Sequence, residues 1–150
     1  MKKIQSYPPH FISFRVPMSY IDTGGVVYNG RYPDIYNLAR DEHMREIGYP
    51  YKKLVNEDNR HLTVLEVNIQ YKAPVYYDDR VEIKTEIEKI GTKSMIVHQF
   101  IYREKDKTLC NQARFVLVCV ENGFQSTPIP SNLIKAFQKG PVTPVQPPEK

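Results

Sequence analysis

What most narrows the folds open to this chain is a change of period. From Tyr32 to Ile47 the positions Tyr32, Ile35, Tyr36, Ala39, His43 and Ile47 share one face at helical spacing, whereas beyond residue 60 apolar side chains recur at every second position. Val81, Ile83, Thr85 and Ile87 alternate with Arg80, Glu82, Lys84, Glu86 and Glu88, which puts the two sets on opposite faces of an extended strand. Leu65, Val67, Ile69 and Tyr71 alternate in the same way with Glu66, Asn68 and Gln70. Two further strand-like runs follow, 94–102 after Gly91 and, past the charged turn 104–107, Ala113 to Val120. The last run is almost continuously apolar, which suits a strand covered on both faces. An earlier strand at 11–16, rich in aromatic and β-branched residues, stops at Pro17. The order is therefore strand, one long helix, then about four antiparallel strands, an α+β arrangement.

Punctuation fills in the rest. Gly48 and Pro50 end the helix, residues 51–57 suit a short second helix, and Ser131 can cap another running to Phe137. One domain is expected over residues 1–138, with a Pro-rich, disordered tail over 139–150. A chain of 150 residues buries a core without a metal or a disulfide framework. Cys110 and Cys119 lie on one apolar run with no metal-type spacing, as buried, reduced thiols would. No apolar run follows Met1-Lys2-Lys3, and no stretch approaches the ~20 apolar residues of a membrane span. These features predict a cytoplasmic protein. A net charge of +4 mildly favours anionic ligands, but the basic residues are scattered and no aromatic–basic pattern of an RNA-binding sheet is present. Nucleic acid is not an expected partner. One helix cannot cover every face and edge of about five strands, so a homo-oligomer is expected.

The chemistry concentrates in Tyr20-Ile21-Asp22-Thr23-Gly24-Gly25-Val26-Val27-Tyr28-Asn29-Gly30-Arg31-Tyr32. This stretch places a carboxylate ahead of a helix start, whose unpaired amides suit an oxygen that turns negative during a reaction. Taken alone, Asp22 and Asn29 are equally well explained as turn residues. Asp34, in the first helical turn, is expected from the helix dipole, and His43 shares the apolar stripe as a packed, hydrogen-bonded histidine. His10, His61 and His98 are isolated in the sequence and form no ligand spacing, so no metal is expected.

Several runs decide between these readings. Asp22-x-Gly24-Gly25-Val26-Val27-Tyr28-Asn29, Arg31-Tyr32, Ala39-Arg40-x-Glu42, the run Tyr71-Lys72-Ala73-Pro74-Val75-Tyr76-Tyr77-Asp78-Asp79, and Gly91-Thr92-Lys93-Ser94 occur in that order. Together they resemble the hotdog-fold acyl-CoA thioesterases of the 4-hydroxybenzoyl-CoA thioesterase type, including the Tol-Pal-associated branch, over roughly residues 11–120. The resemblance implies a long helix wrapped by a curved antiparallel sheet, with dimers joined edge to edge and active sites at subunit interfaces. It implies hydrolysis of an acyl-CoA thioester to a free acid and coenzyme A, with no cofactor beyond the coenzyme A of the substrate. Asp22 takes the catalytic position, as nucleophile or general base, and the Asn29 amide, with Gly30 beside it, takes the oxyanion position. Lys93, with Thr92, falls where the family meets the coenzyme A phosphates, and Tyr28 and Tyr32 fall where an acyl pocket would be lined. The chain departs from the branch in having Asn29 in place of its His, Met18 in place of its Tyr, and Arg31 in place of Asn. A neutral Asn takes no proton, so a catalytically silent acyl-thioester binder or oligomeric scaffold is the alternative.

Overall fold

The computed structural model describes residues 6–142. The long helix α1 (Tyr32–Glu46) forms on the predicted stripe, and Tyr32, Ile35, Tyr36, Ala39 and His43 are all buried. Pro33 sits in the first turn, where a missing N–H breaks no helical bond. Gly48 ends the helix at φ 79°, a conformation glycine adopts without strain. A short α2 (Tyr51–Asn56) follows as expected. The strands are β1 (His10–Arg15), β2 (His61–Tyr71), β3 (Arg80–Ile90), β4 (Ser94–Arg103), β5 (Leu109–Glu121) and the two-residue β6 (Gln125–Ser126), with α3 (Ser131–Lys139) last.

Every pairing is antiparallel, and the spatial order is β1-β3-β4-β5-β2, with β6 added to the end of β5. Although β2 directly follows the helices in sequence, it crosses to the far edge rather than pairing with β3. The sheet curls around α1, which lies closest to β1 and β3. Alternation on β3 works as read, with Val81, Ile83, Thr85 and Ile87 buried against the helix. Fully buried Leu54, Ile83, Ile101 and Leu133 contribute roughly 1.5–3 kcal/mol each relative to exposure. Phe137 of α3 packs edge-on to His43 at 5.2 Å, and His43 stacks on His10 of β1 at 4.8 Å.

Three expectations change. The alternation in β2 slips at a bulge between Val64 and Glu66: Val64 lies opposite buried Leu117 and Val67 opposite buried Phe115, which leaves Leu65 unpaired and 69% exposed. The inward-facing side chains of β2 are also poorly covered, with Val67 43% and Tyr71 55% exposed, because an edge strand has a neighbour on one side only. Second, β5 is not covered on both faces: residues at Gln112, Arg114, Val116 and Val118 are only half-buried. Third, His10 is not isolated, since its Nε2 meets Glu46 Oε2 at 2.5 Å. The packed role of His43 stands, but among the described residues the hydrogen bond is made by His10. Lys139 closes α3 and the Val142 amide donates to Glu46 O; the remainder of the Pro-rich tail lies outside the described residues.

Candidate active site

The loop before α1 is a small hairpin. Tyr28 N donates to Tyr20 O at 2.8 Å, Ile21 bridges Val27, and Asp22 N donates to Val26 O at 2.9 Å. The turn closes through Gly25 N and Asp22 O at 3.1 Å, with Gly25 at φ 82°, a conformation that favours glycine. Asp22 Oδ1 accepts the Gly24 amide at 2.8 Å and, more distantly, the Val26 amide at 3.5 Å. These bonds fix the half-buried carboxylate on its own turn and leave Oδ2 unengaged among the described residues.

Residues 73–79 support the other arm of this hairpin. Val27 N donates to Val75 O at 2.8 Å, and Val26 bridges Tyr76. Arg103, on β4, donates to Pro74 O at 2.7 Å and lies 3.7 Å from Asp79, which in turn accepts the Tyr76 amide at 2.8 Å. The position of Asp22 therefore depends on β4 through two layers of hydrogen bonds.

Past Tyr28 the chain enters a single 3-10 turn, Asn29–Arg31, before the α-helix proper. The Asn29 and Gly30 amides have no backbone acceptor among the described residues. Tyr71 Oη donates to Asn29 O at 3.3 Å, and its ring meets Tyr32 edge-on at 5.5 Å. Beside them opens a cleft of about 290 Å³ lined by Val26, Val27, Asn29, Tyr32, Tyr71 and Pro74 among others. Tyr32 is a buried wall of that cleft, and burial, with lesser effects of Cys110 and Tyr71, pushes its phenol up to about 12. Tyr28 is half exposed and covers Gly30 so closely that a Cβ there would come 2.6 Å from the ring. Asp34 is exposed and paired with Arg31 at 3.3 Å.

The predicted residues are not all brought together within one chain. Asp22 is at the hairpin tip and does not line the Asn29 cleft; by strand rise it lies roughly 10 Å along the hairpin from Asn29. Thr92 and Lys93 occupy the β3–β4 turn, where their carbonyls accept Ile129 N at 2.8 Å and Cys119 N at 2.7 Å. That turn is at the opposite end of the sheet from Tyr71 and Asn29: Tyr71 is level with Ile101, and β4 from Ser94 to Ile101 runs between them, roughly 25 Å at strand rise. Among the described residues no three His, Cys, Asp or Glu side chains gather as a metal site.

Sequence reasoning missed a buried polar network behind the cleft. Tyr36 Oη donates to Asn111 Oδ1 at 2.5 Å, and Gln99 Nε2 donates to Tyr36 O at 3.0 Å and Thr85 Oγ1 at 3.1 Å. Arg40 donates to Gln99 Oε1 at 2.8 Å and lies 4.2 Å over the Phe115 ring. Burial holds the Tyr36 phenol far above its ordinary value and lowers the Arg40 guanidinium to about 10. The signal was present, because Thr85, Gln99 and Asn111 are polar residues in the inward phase of apolar strands.

Residues 16–137 match the family model described as thioesterase-like superfamily. The acyl-CoA thioester hydrolase YbgC of Escherichia coli is 31% identical over 119 residues, spanning 79% of this chain and 87% of that protein. Among solved structures, a 1,4-dihydroxy-2-naphthoyl-CoA thioesterase from Synechocystis superposes with TM-score 0.81 at 17% identity, covering 87% of this chain and 96% of that one. A 4-hydroxybenzoyl-CoA thioesterase superposes with TM-score 0.80 at 18% identity, covering 86% and 98%. These structural likenesses establish the hotdog fold.

Proposed function

This chain belongs to the thioesterase-like superfamily, and on that premise we propose that it hydrolyses an acyl-CoA thioester to a free acid and coenzyme A. The observation that carries the reading is the pair of amides at the entrance to α1, Asn29 and Gly30, with no acceptor among the described residues, Asn29 itself lining the cleft. A thioester carbonyl oxygen seated there would gain charge as its carbon becomes tetrahedral, and fixed N–H donors stabilise that charge without reorganising. Asp22, roughly 10 Å along the hairpin from Asn29, supplies the base or the nucleophile from the far side of the thioester group, which lies in the space between the carboxylate and the amides. As base it takes a proton from the attacking water; as nucleophile it forms an anhydride that water then opens. In both courses a C–O bond forms, the C–S bond breaks, and the departing thiolate takes up a proton. Position 29 contributes through its backbone, so the absence of a histidine there does not remove the oxyanion donor.

The site is read as one shared between subunits of a homodimer or homotetramer. The under-covered apolar side chains on edge strand β2 support this, as does the placement of Lys93 and Thr92. These two can reach coenzyme A bound near Asn29 only from another copy of the chain. Among the described residues no helix is long and apolar enough to cross a membrane, and Cys110 and Cys119 are free and buried; the reading adopted is a cytoplasmic enzyme.

A panel of aliphatic and aromatic acyl-CoA substrates, assayed for free thiol, tests the proposal. Turnover on at least one class is expected. Acyl-CoA binding with no thiol release from any substrate would instead make the protein a silent binder of the same fold.

A further inference from the structure

A second cavity, of about 280 Å³, lies between α1 and the sheet, with walls that include Met44, Ile87, Met95, Val97, Leu117 and Phe137. One strong cation lines this largely apolar space: Arg40. Among the described residues no carboxylate pairs with it. Two of its N–H groups are engaged, one by Gln99 Oε1 at 2.8 Å and one by Asn37 Oδ1 at 3.5 Å, and the others have no acceptor among the described residues. The Phe115 face beneath it and the bond to Gln99 fix the fork in place. Asp41 also lines the cavity, but Arg45 holds its carboxylate at 2.9 Å.

Cavity and cleft share no lining residue, but both are bordered by α1 or its entrance and by β2. The cleft touches Asn29 and Tyr32 of the α1 entrance and Tyr71 at the end of β2; the cavity touches Asn37 and Arg40 one to two turns further on and Leu62 and Val64 near the start of β2. Because α1 lies closest to β1 and β3, the gap opens along the β2 side. The rise from Asn29 to Arg40 is roughly 16 Å, a distance for an acyl chain to span with its thioester at the amides.

A guanidinium held rigidly against an apolar cavity, with donors unspent, is suited to a planar carboxylate. We propose that the acyl group lies along the α1–β2 seam and carries a carboxylate at its far end, which Arg40 receives, so that the substrate class is the coenzyme A thioester of a dicarboxylic acid. This rests on the thioesterase reading above and specifies what that reading leaves open.

The test compares two acyl-CoA substrates of equal chain length, one ending in a methyl group and one in a carboxylate. The wild-type protein is expected to show at least a tenfold higher kcat/KM for the carboxylate-ended substrate. Arg40→Met is expected to reverse that order, and Arg40→Lys to retain part of it. Since Arg40→Met leaves Gln99 Oε1 without its donor, binding of the free dicarboxylic acid is measured alongside, as a rise in Tm seen in wild type and in Arg40→Lys but not in Arg40→Met. Equal rates, a preference for the methyl-ended substrate, or an equal loss on both substrates in Arg40→Met would overturn the proposal. Thiol release from neither substrate, nor from any in the wider panel, would sink the thioesterase reading alone. The Tm arm would still decide Arg40, whose role fails if the dicarboxylic acid does not stabilise the wild-type protein.

Discussion

Lowering the pH from 7 to 5 should destabilise the fold through one side chain, His43. The imidazole is 3% exposed, stacked on His10 and set against Phe137. Burial, reinforced by the neighbouring His10, lowers its pKa from the ordinary 6.5 to about 3. Between these values the unfolded chain binds a proton there that the folded chain refuses, so stability falls as pH drops below about 6.5 and continues to fall until about 3. At pH 5 the ratio of the two binding polynomials is near thirty, which corresponds to a loss of about 2 kcal/mol. Replacing His43 by Leu, of similar size and compatible with Phe137, removes the titrating group and leaves the His10–Glu46 pair in place. Urea unfolding at pH 7 and 5 should show the midpoint of the wild-type protein falling further than that of His43→Leu, with the difference in free energy near the stated value. Parallel decline of the two proteins would refute the assignment, because the acid sensitivity would then belong to other groups.

Two further substitutions probe the interior and the edge. Tyr36→Phe leaves Asn111 Oδ1 without its donor in a fully buried position whose Nδ2 already has no partner, and should cost roughly 1–3 kcal/mol in urea unfolding; a neutral change would mean that the phenol bond contributes nothing. Val67→Lys puts a charge on the under-covered face of β2 and should shift the protein toward the monomer in light scattering, while leaving the far-UV spectrum unchanged. Retention of the wild-type assembly would show that β2 is not the contact between copies.

The helix stripe from Tyr32 and the alternation on β3 were legible because each depends only on local period. The β2 phase was not, since the bulge at Leu65 is set by pairing with β5 and moves Val64, rather than Leu65, to the inward side. Nor did local pattern show that Tyr36, Gln99, Arg40 and Asn111 meet, because their partners lie 59 to 75 residues apart in sequence. The candidate catalytic carboxylate could be named from ordered motifs, yet its distance from the Asn29 amides within one chain, and the separation of Lys93 from both, follow from topology. A single sequence does not specify which copies of a chain share a site.

In the proposed reaction the Asp22 carboxylate performs chemistry rather than only closing a turn. Asp22→Asn keeps an Oδ1 to accept the Gly24 amide and so preserves the turn, while removing the base and nucleophile. Measured on the best acyl-CoA substrate, kcat should fall by at least about 100-fold, with KM and the urea midpoint close to wild type. Turnover unchanged in Asp22→Asn, with the protein folded, would leave Asp22 a turn residue and move the reacting group elsewhere.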